Sequence, residues 1–288
     1  MPPTTDESAR STNPPPPSGG AETAKGTTPP HSGPGNREDT VWSDTDLETL
    51  HQDDQKAEKV RRMFASIARS YDLNNRVHSL WRDQAWRRFA VRQAEVREGD
   101  TVADIACGTG DLTEAFARTP AAKVIGIDFT HEMLQLADVK KERRDPGLAS
   151  KITYIRGDAQ RLPLADASCD VVSIAFGIRN VQEPELALAE FFRVLKPGGR
   201  LVILEFDRPR FAPIRWGNDF YAGWLMPRTA TLISRDRSGA YRYLPKSVGS
   251  FMSRNELLSA IGRAGFANAR ARSLTLGIVA CYRALRSA

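Results

Sequence analysis

At 288 residues and 41% hydrophobic, the chain is long enough for one large domain or two small ones with a packed core. Its net charge of +6 is unevenly spread: residues 1–55 carry three Lys/Arg against ten Asp/Glu, so the remainder stands at +13 and favours an anionic partner or surface. No apolar run approaches the roughly 18 residues that span a bilayer, no signal pattern opens the chain, and three scattered cysteines (Cys107, Cys169, Cys281) fit neither a disulfide framework nor a zinc site, so a cytoplasmic, reducing setting is expected.

Residues 1–36 hold half of the 18 prolines, five glycines and ten Ser/Thr, with almost no large apolar side chain. Such a composition cannot bury enough surface to offset the entropy of ordering. Residues 1–55 therefore read as a disordered acidic tail before one folded domain, 56–288. Val60, Met63, Phe64 and Ile67 recur at helical spacing within 57–75, and a second helical segment with Trp81, Trp86 and Phe89 covers about 76–94. These two make a helical lid, 56–97.

From residue 98 to 206 helices and strands alternate. Strands are expected at 101–106, 123–128, 151–156, 169–176 and 199–206, and helices at about 111–118, 130–143 and 184–195, the last stopped by "KPGG". "TVADIA", "KVIGID" and "CDVVSIAF" are apolar on both faces, as buried parallel strands are. An insertion, 207–250, shows no clean period over most of its length. A helix at about 254–264 and strands near 268–274 and 277–284 close the domain. The expected class is α/β and Rossmann-like: a mostly parallel central sheet with helices on both faces.

An open parallel sheet binds its ligand at the carboxyl ends of the strands, where strand order reverses. "DIACGTG" ends the first strand. The dinucleotide fingerprint G-x-G-x-x-G is incomplete, because Thr113 stands where the third glycine belongs. A cationic ligand without pyrophosphate, S-adenosylmethionine (SAM), explains the departure. Asp104 would meet its ammonium while Gly108 and Gly110 admit main chain. Asp128, ending the second strand, would accept from the ribose hydroxyls, and Asp158 in "GDAQRLP" from the adenine amine. Taken singly, each acid is as well explained as a turn former or helix cap. Cys107 reads as a space-filler.

From "DIACGTGDL" onward the chain resembles class I SAM-dependent methyltransferases. "SIARSYDLNN", "IAFGIRNV", "RVLKPGGRLVILEF", "YRYLPKSV" and "LTLGIVA" narrow the likeness, over residues 57–283, to the quinol C-methyltransferases. That family methylates demethylmenaquinol, or the polyprenyl methoxy-benzoquinol on the route to ubiquinone. The resemblance implies SAM contacts from Thr109, Asp128, Asp158 and Ala159, and a prenylated quinol as substrate. Ala175 departs from the Ser that many ubiquinone-type members place before "FG", which favours the menaquinone substrate; Ser173 is the nearby hydroxyl that could compensate.

A ring carbon is a weak nucleophile unless a hydroxyl on the ring ionises, and a phenol with a pKa near 10 seldom does so at neutral pH. Arg179, after the fourth strand, is expected to stabilise that phenolate, with Asn180 orienting a water or the quinol oxygen and Tyr71 completing the pocket from the lid. His78 and His131 have no helpful companions in sequence and read as surface or packed residues; no metal motif is present. In the insertion, Trp216, Phe220, Tyr221 and Trp224 fall at helical spacing among Arg208, Arg210, Arg215 and Arg228. They suit either core packing or a peripheral contact with an anionic membrane at the inner face of the cytoplasmic membrane. RNA as acceptor, another small-molecule acceptor and a non-catalytic SAM-binding scaffold are the competing readings. Nucleic acid is disfavoured because no RNA-binding module is appended, and a homo-oligomer is left open.

Overall fold

The computed structural model describes residues 41–42, 55–234 and 239–287. A seven-stranded sheet runs in the order β3-β2-β1-β4-β5-β7-β6. Its strands are β1 (Thr101–Ile105), β2 (Lys123–Asp128), β3 (Ile152–Arg156), β4 (Cys169–Ala175), β5 (Leu195–Phe206), β6 (Phe266–Leu274) and β7 (Val279–Arg286). The first five are parallel; β7 is antiparallel to both β5 and β6. Helices α1 (Lys56–His78), α2 (Arg82–Ala94), α3 (Asp111–Ala117), α4 (His131–Glu142), α5 (Pro146–Ala149) and α6 (Pro184–Val194) precede β5. Between β5 and β6 come α7 (Ala212–Phe220), a π turn (Tyr221–Leu225), α8 (Met226–Ser234), α9 (Ala240–Ser250) and α10 (Arg254–Arg263).

Alternation along the strands divides the core between the two faces of the sheet. Ile105, Ile174, Leu201 and Ile203 pack with Leu188 and Phe191 of α6 and with Leu257 and Ile261 of α10. Val102, Val171, Val202 and Leu204 pack with Trp86 and Ala90 of α2 and with Phe116 of α3. Both faces being covered is why these strands read as nearly continuous apolar runs.

The expected strands and helices of the alternating region are present to within a few residues, with one change of kind. "KPGG" is not a turn outside the strand. Cys169 pairs with Leu195 and Val171 with Arg200, so Lys196–Gly199 form a bulge inside β5. The insertion, aperiodic in sequence, is largely helical. The first lid helix also runs further than expected, to His78, and Leu80 and Trp81 at φ 51° and 58° make the turn into α2.

The tail assigned to 1–55 lies almost wholly outside the described residues, but Trp42 does not behave as tail. It is fully buried, stacked on Tyr243 with ring centroids 4.7 Å apart, and its indole N–H points at Met63 Sδ at 3.2 Å. A single large aromatic in an acidic stretch escapes a reading based on average composition.

Because β1 leads to β2 on one side and β4 lies on the other, the strand order reverses between β1 and β4. The segments leaving β1, β2 and β4 converge at that crevice.

Candidate active site

The loop after β1 turns sharply: Ala106, Gly108 and Gly110 have φ of 50°, 56° and 84°. A Cβ on Gly110 would run into the Tyr154 hydroxyl, so close packing as well as backbone conformation excludes other residues there. Asp128 fastens the loop to the end of β2. One carboxylate oxygen accepts from Gly108 N–H at 2.8 Å and the other from Thr130 N–H at 2.8 Å. Asp104 is buried below the loop, where its carboxylate accepts from Thr113 Oγ1 at 2.6 Å. Burial pushes its pKa up to about 7. Cys107 is buried and its thiol is pushed well up by the same desolvation, consistent with a packing role.

Helix α1 is clamped onto this loop by a polar cluster. Asp72 accepts from Thr109 Oγ1 at 2.5 Å and from Lys140 Nζ at 2.9 Å. Lys140 also donates to Asp111 at 2.5 Å, and Asp111 accepts from Arg76 at 3.2 Å and from Gln84 at 3.0 Å. Four helices, α1 to α4, thus meet beside Thr109 of the glycine loop. Tyr71, next to Asp72, lies over the loop as well: a Cβ on Gly108 would sit 3.9 Å from its Cε1. Burial raises the Tyr71 phenol, which stays neutral at physiological pH.

At the end of β4 the chain bends through Phe176, whose φ of 58° is unusual for a bulky residue. Gly177 then passes so close to the β1 loop that a Cβ would lie 2.6 Å from that of Ala106. A 3₁₀ turn, Ile178–Asn180, follows. The Arg179 side chain is buried, with Nη1 donating to Glu205 Oε1 at 2.7 Å and to Phe176 O at 2.6 Å, and Nε reaching Ser247 Oγ at 3.4 Å. Nη2 makes no hydrogen bond among the described residues. Asn180 is spent on structure: its amide donates to Phe176 O at 3.3 Å and accepts from Tyr243 OH at 3.0 Å. Lys56, fully buried, donates to Val181 O at 2.7 Å just beyond this turn, and desolvation lowers its pKa to about 8.

A cavity of about 590 Å³ opens beside these elements. Its walls are mostly apolar and aromatic, including Phe64, Trp86, Phe176, Phe206, Tyr241 and Tyr243, and Tyr71 and Arg179 line it too. Gly108, Thr109, Gly110, Asp104, Asp128, Asp158, Ala159 and Asn180 are not among its lining residues. The site therefore has two parts that meet at Tyr71: an acidic, backbone-lined loop region and an apolar chamber with a guanidinium in its wall. Asp158 and Ala159 follow β3, half-buried; Asp158 accepts from Gln160 N–H at 2.9 Å. Ser173, level with Asp104 across the β1–β4 register, is fully buried with an unpartnered hydroxyl.

Several participants were not singled out in the sequence. Glu205 ends a strand in "ILEF" and nothing local marks it as the partner of Arg179. His78, read there as a surface or packed residue, lines the cavity, whereas His131 is exposed at the start of α4. Tyr221 does not share the outward face of Trp216, Phe220 and Trp224. It lines the cavity and bonds His78, while those three stand exposed in a stack with centroids 6.4 and 5.3 Å apart. The π turn that begins at Tyr221 is where the segment divides between inside and outside.

A buried acid with one partner, short of a cation, suits SAM better than a dinucleotide. Asp104 could receive the ammonium, Asp128 the ribose hydroxyls and Asp158 the adenine amine; the bound donor supplies an electrophilic methyl on sulfur. The ubiE/COQ5 methyltransferase family model matches residues 52–286. The chain belongs to that family.

Among its relatives is the ubiquinone/menaquinone biosynthesis C-methyltransferase UbiE of Erwinia tasmaniensis, 39% identical over 235 residues, which are 81% of this chain and 92% of the relative. That of Yersinia enterocolitica is 38% identical over 84% of this chain and 99% of its own. A SAM-dependent methyltransferase from Thermotoga maritima superposes with a TM-score of 0.55 at 20% identity, covering 79% of this chain and all of that one. The [4+2]-cyclase SpnF superposes at 0.51 and 20%, over 71% and 80%. These two show the fold alone; the family match makes the chain a SAM-dependent C-methyltransferase. Among the described residues no group of three or more His, Cys, Asp or Glu is placed to hold a metal ion.

Asp104 also makes a pH-dependent contribution to stability. With its folded pKa raised above the unfolded value, its contribution is fully present at low pH and is lost as pH rises through about 7. Asp104→Asn removes that loss. The melting temperature of the variant relative to wild type should become more positive from pH 5 to pH 8, measured by differential scanning calorimetry; no change across that range would show that Asp104 is not strained by burial.

Proposed function

We propose that the enzyme transfers the SAM methyl group to a ring carbon of a prenylated quinol, most coherently demethylmenaquinol to menaquinol. The observation that carries this reading is the apolar, aromatic chamber of about 590 Å³ with the Arg179 guanidinium in its wall, joined at Tyr71 to the glycine loop. An aromatic ring fits such walls, and Nη2 is free to donate to a ring oxygen as negative charge develops there. Holding ring and donor in line is the protein's main task in a displacement at carbon. The UbiE relatives carry both quinones in their names, and Ala175 in place of a hydroxyl side chain inclines the choice to menaquinol.

Purified enzyme, labelled SAM and one of three acceptors test it: a demethylmenaquinol analogue, a methoxy-benzoquinol analogue or bulk RNA, followed by extraction into organic solvent. Label should enter the organic phase, fastest with the first. Label retained on RNA, or faster transfer to the benzoquinol, would contradict the assignment.

A substrate with an isoprenoid tail resides in lipid, and the insertion offers a surface for reaching it. Trp216, Phe220 and Trp224 are 76%, 53% and 50% exposed, with Arg208, Arg210, Arg215 and Arg228 in the same segment. Asn218, Tyr221 and Ala222 of the same segment line the chamber. Aromatic rings interleaved with arginines favour the interface of an anionic bilayer, so this segment docks there and passes the tail inward. Among the described residues no helix is long and apolar enough to cross a membrane. The full chain should float with phosphatidylcholine/phosphatidylglycerol vesicles more than with phosphatidylcholine alone, and the triple replacement of Trp216, Phe220 and Trp224 by Ser should abolish flotation. Equal flotation of the variant, or a change only in its oligomeric state by sedimentation, would assign the stripe elsewhere.

A further inference from the structure

The last turn of α1 carries a histidine whose surroundings fix its tautomer. Tyr221 has one hydroxyl proton and donates it to the His78 carbonyl oxygen at 3.0 Å. Its oxygen lies 3.2 Å from His78 Nδ1, so in that contact the ring nitrogen carries the proton and the phenol oxygen accepts it. Nε2 is then the bare nitrogen, an acceptor and a base. It is buried and has no partner in the protein among the described residues.

One turn earlier Asn74 repeats the situation. Its Nδ2 donates to Ser70 O at 3.2 Å, which fixes the amide and leaves Oδ1 as the buried, unpartnered atom. Asn74 is 3% exposed, and both residues line the chamber that holds Arg179. Two buried acceptors at i and i+4 of one helix lack donors, an arrangement proteins avoid unless a ligand or water satisfies it. A quinol brings two O–H donors; the oxidised quinone brings none, so the pair also favours the reduced ring.

We propose that His78 is the proton acceptor in catalysis, its Nε2 taking the proton of the substrate ring hydroxyl, with Asn74 as a second acceptor for the ring and Tyr221 as the positioning residue for the imidazole. This rests on the quinol reading above. As the hydroxyl proton passes to Nε2, the ring carbon forms its bond to the methyl group and the bonding pair of the methyl–sulfur bond stays on sulfur. The proton on the methylated carbon then leaves to water, and the ring oxygen recovers its proton from Nε2. One proton is released overall, and His78 ends as it began. Arginine, with a pKa above about 12, is a poor base, so Arg179 keeps the role of donor to the developing oxyanion.

Burial holds the His78 imidazole below its ordinary range, so it is neutral at pH 7 and ready to accept. Other titratable or charged groups lining the chamber include Asp83 and Arg87 of α2, Asp219 and Tyr221 of the insertion, and Arg179 and Tyr243. Asp83 and Arg87 pair with each other, as do Asp219 and Arg208, at 2.9 and 3.7 Å.

The experiment compares wild type, His78→Ala and Tyr221→Phe in steady-state methylation of a demethylmenaquinol analogue across pH 5 to 9, with SAM binding followed by calorimetry. In His78→Ala, kcat should fall about 100-fold or more while KM and SAM affinity hold. The wild-type rate should rise with pH along a limb on the acid side of an ordinary histidine, the variant should lack that limb, and added imidazole should restore part of the rate. Tyr221→Phe should lose less and keep the limb. A His78→Ala variant within threefold of wild type, or one that is slow yet keeps the wild-type pH limb and ignores imidazole, would overturn the role. Absence of quinol turnover in wild type would instead overturn the quinol reading, and this inference with it.

Discussion

Arg179 and Glu205 join the ends of β4 and β5 as an ion pair almost without contact with solvent. Glu205 accepts from the guanidinium, from Arg179 N–H at 3.4 Å and from Phe206 N–H at 2.8 Å, so its charge is met on several sides. Removing one partner of such a pair typically costs about 3–5 kcal/mol, because the other charge is left buried and bare. The pair also explains the strained turn before it. Phe176 at positive φ turns its carbonyl to Arg179 Nη1 and its ring onto Phe206, with centroids 4.7 Å apart. Once the guanidinium is held this way, only Nη2 remains for a ligand. In the proposed reading Arg179 acts on a substrate oxygen as a local donor, since Glu205 cancels much of its longer-range field, and a separate neutral base becomes useful.

The second constraint is the clamp of α1 on the glycine loop. Asp72, Asp111, Lys140 and Arg76 exchange ion pairs across elements far apart in sequence. Thr109 is bound into this cluster rather than free, so any contact it makes to SAM shares a hydroxyl with Asp72. The clamp sets Tyr71 between loop and chamber, and it carries Asn74 and His78 on the same helix into the chamber wall. One helix therefore ties the glycine loop to the chamber.

Much of this was legible in the sequence, for reasons that can be traced to residues. The strand–helix alternation was readable because both faces of the sheet are covered, and Asp104 within β1, Asp128 at the end of β2 and Asp158 just after β3 stood out as acids in or beside predicted strands. The insertion was not, since one side of its helices meets the chamber and the other exposes Trp216, Phe220 and Trp224, so no single apolar face exists to give a period. His78 escaped because its tautomer is set by Tyr221, 143 positions later. Glu205 escaped because a charge buried at the end of a central strand makes sense only beside its partner.

Fold alone does not fix chemistry, as the superposition on a [4+2]-cyclase makes plain. The family match commits this chain to methyl transfer, and the proposed acceptor chemistry rests on the guanidinium placed in an apolar chamber next to the glycine loop. The most direct measurement is methyl transfer by the paired substitution Arg179→Met with Glu205→Gln, which removes the guanidinium without leaving a bare buried carboxylate. The account predicts a folded protein that binds SAM with wild-type affinity by calorimetry and transfers methyl at less than about a hundredth of the wild-type rate. Turnover within a few-fold of wild type would contradict it.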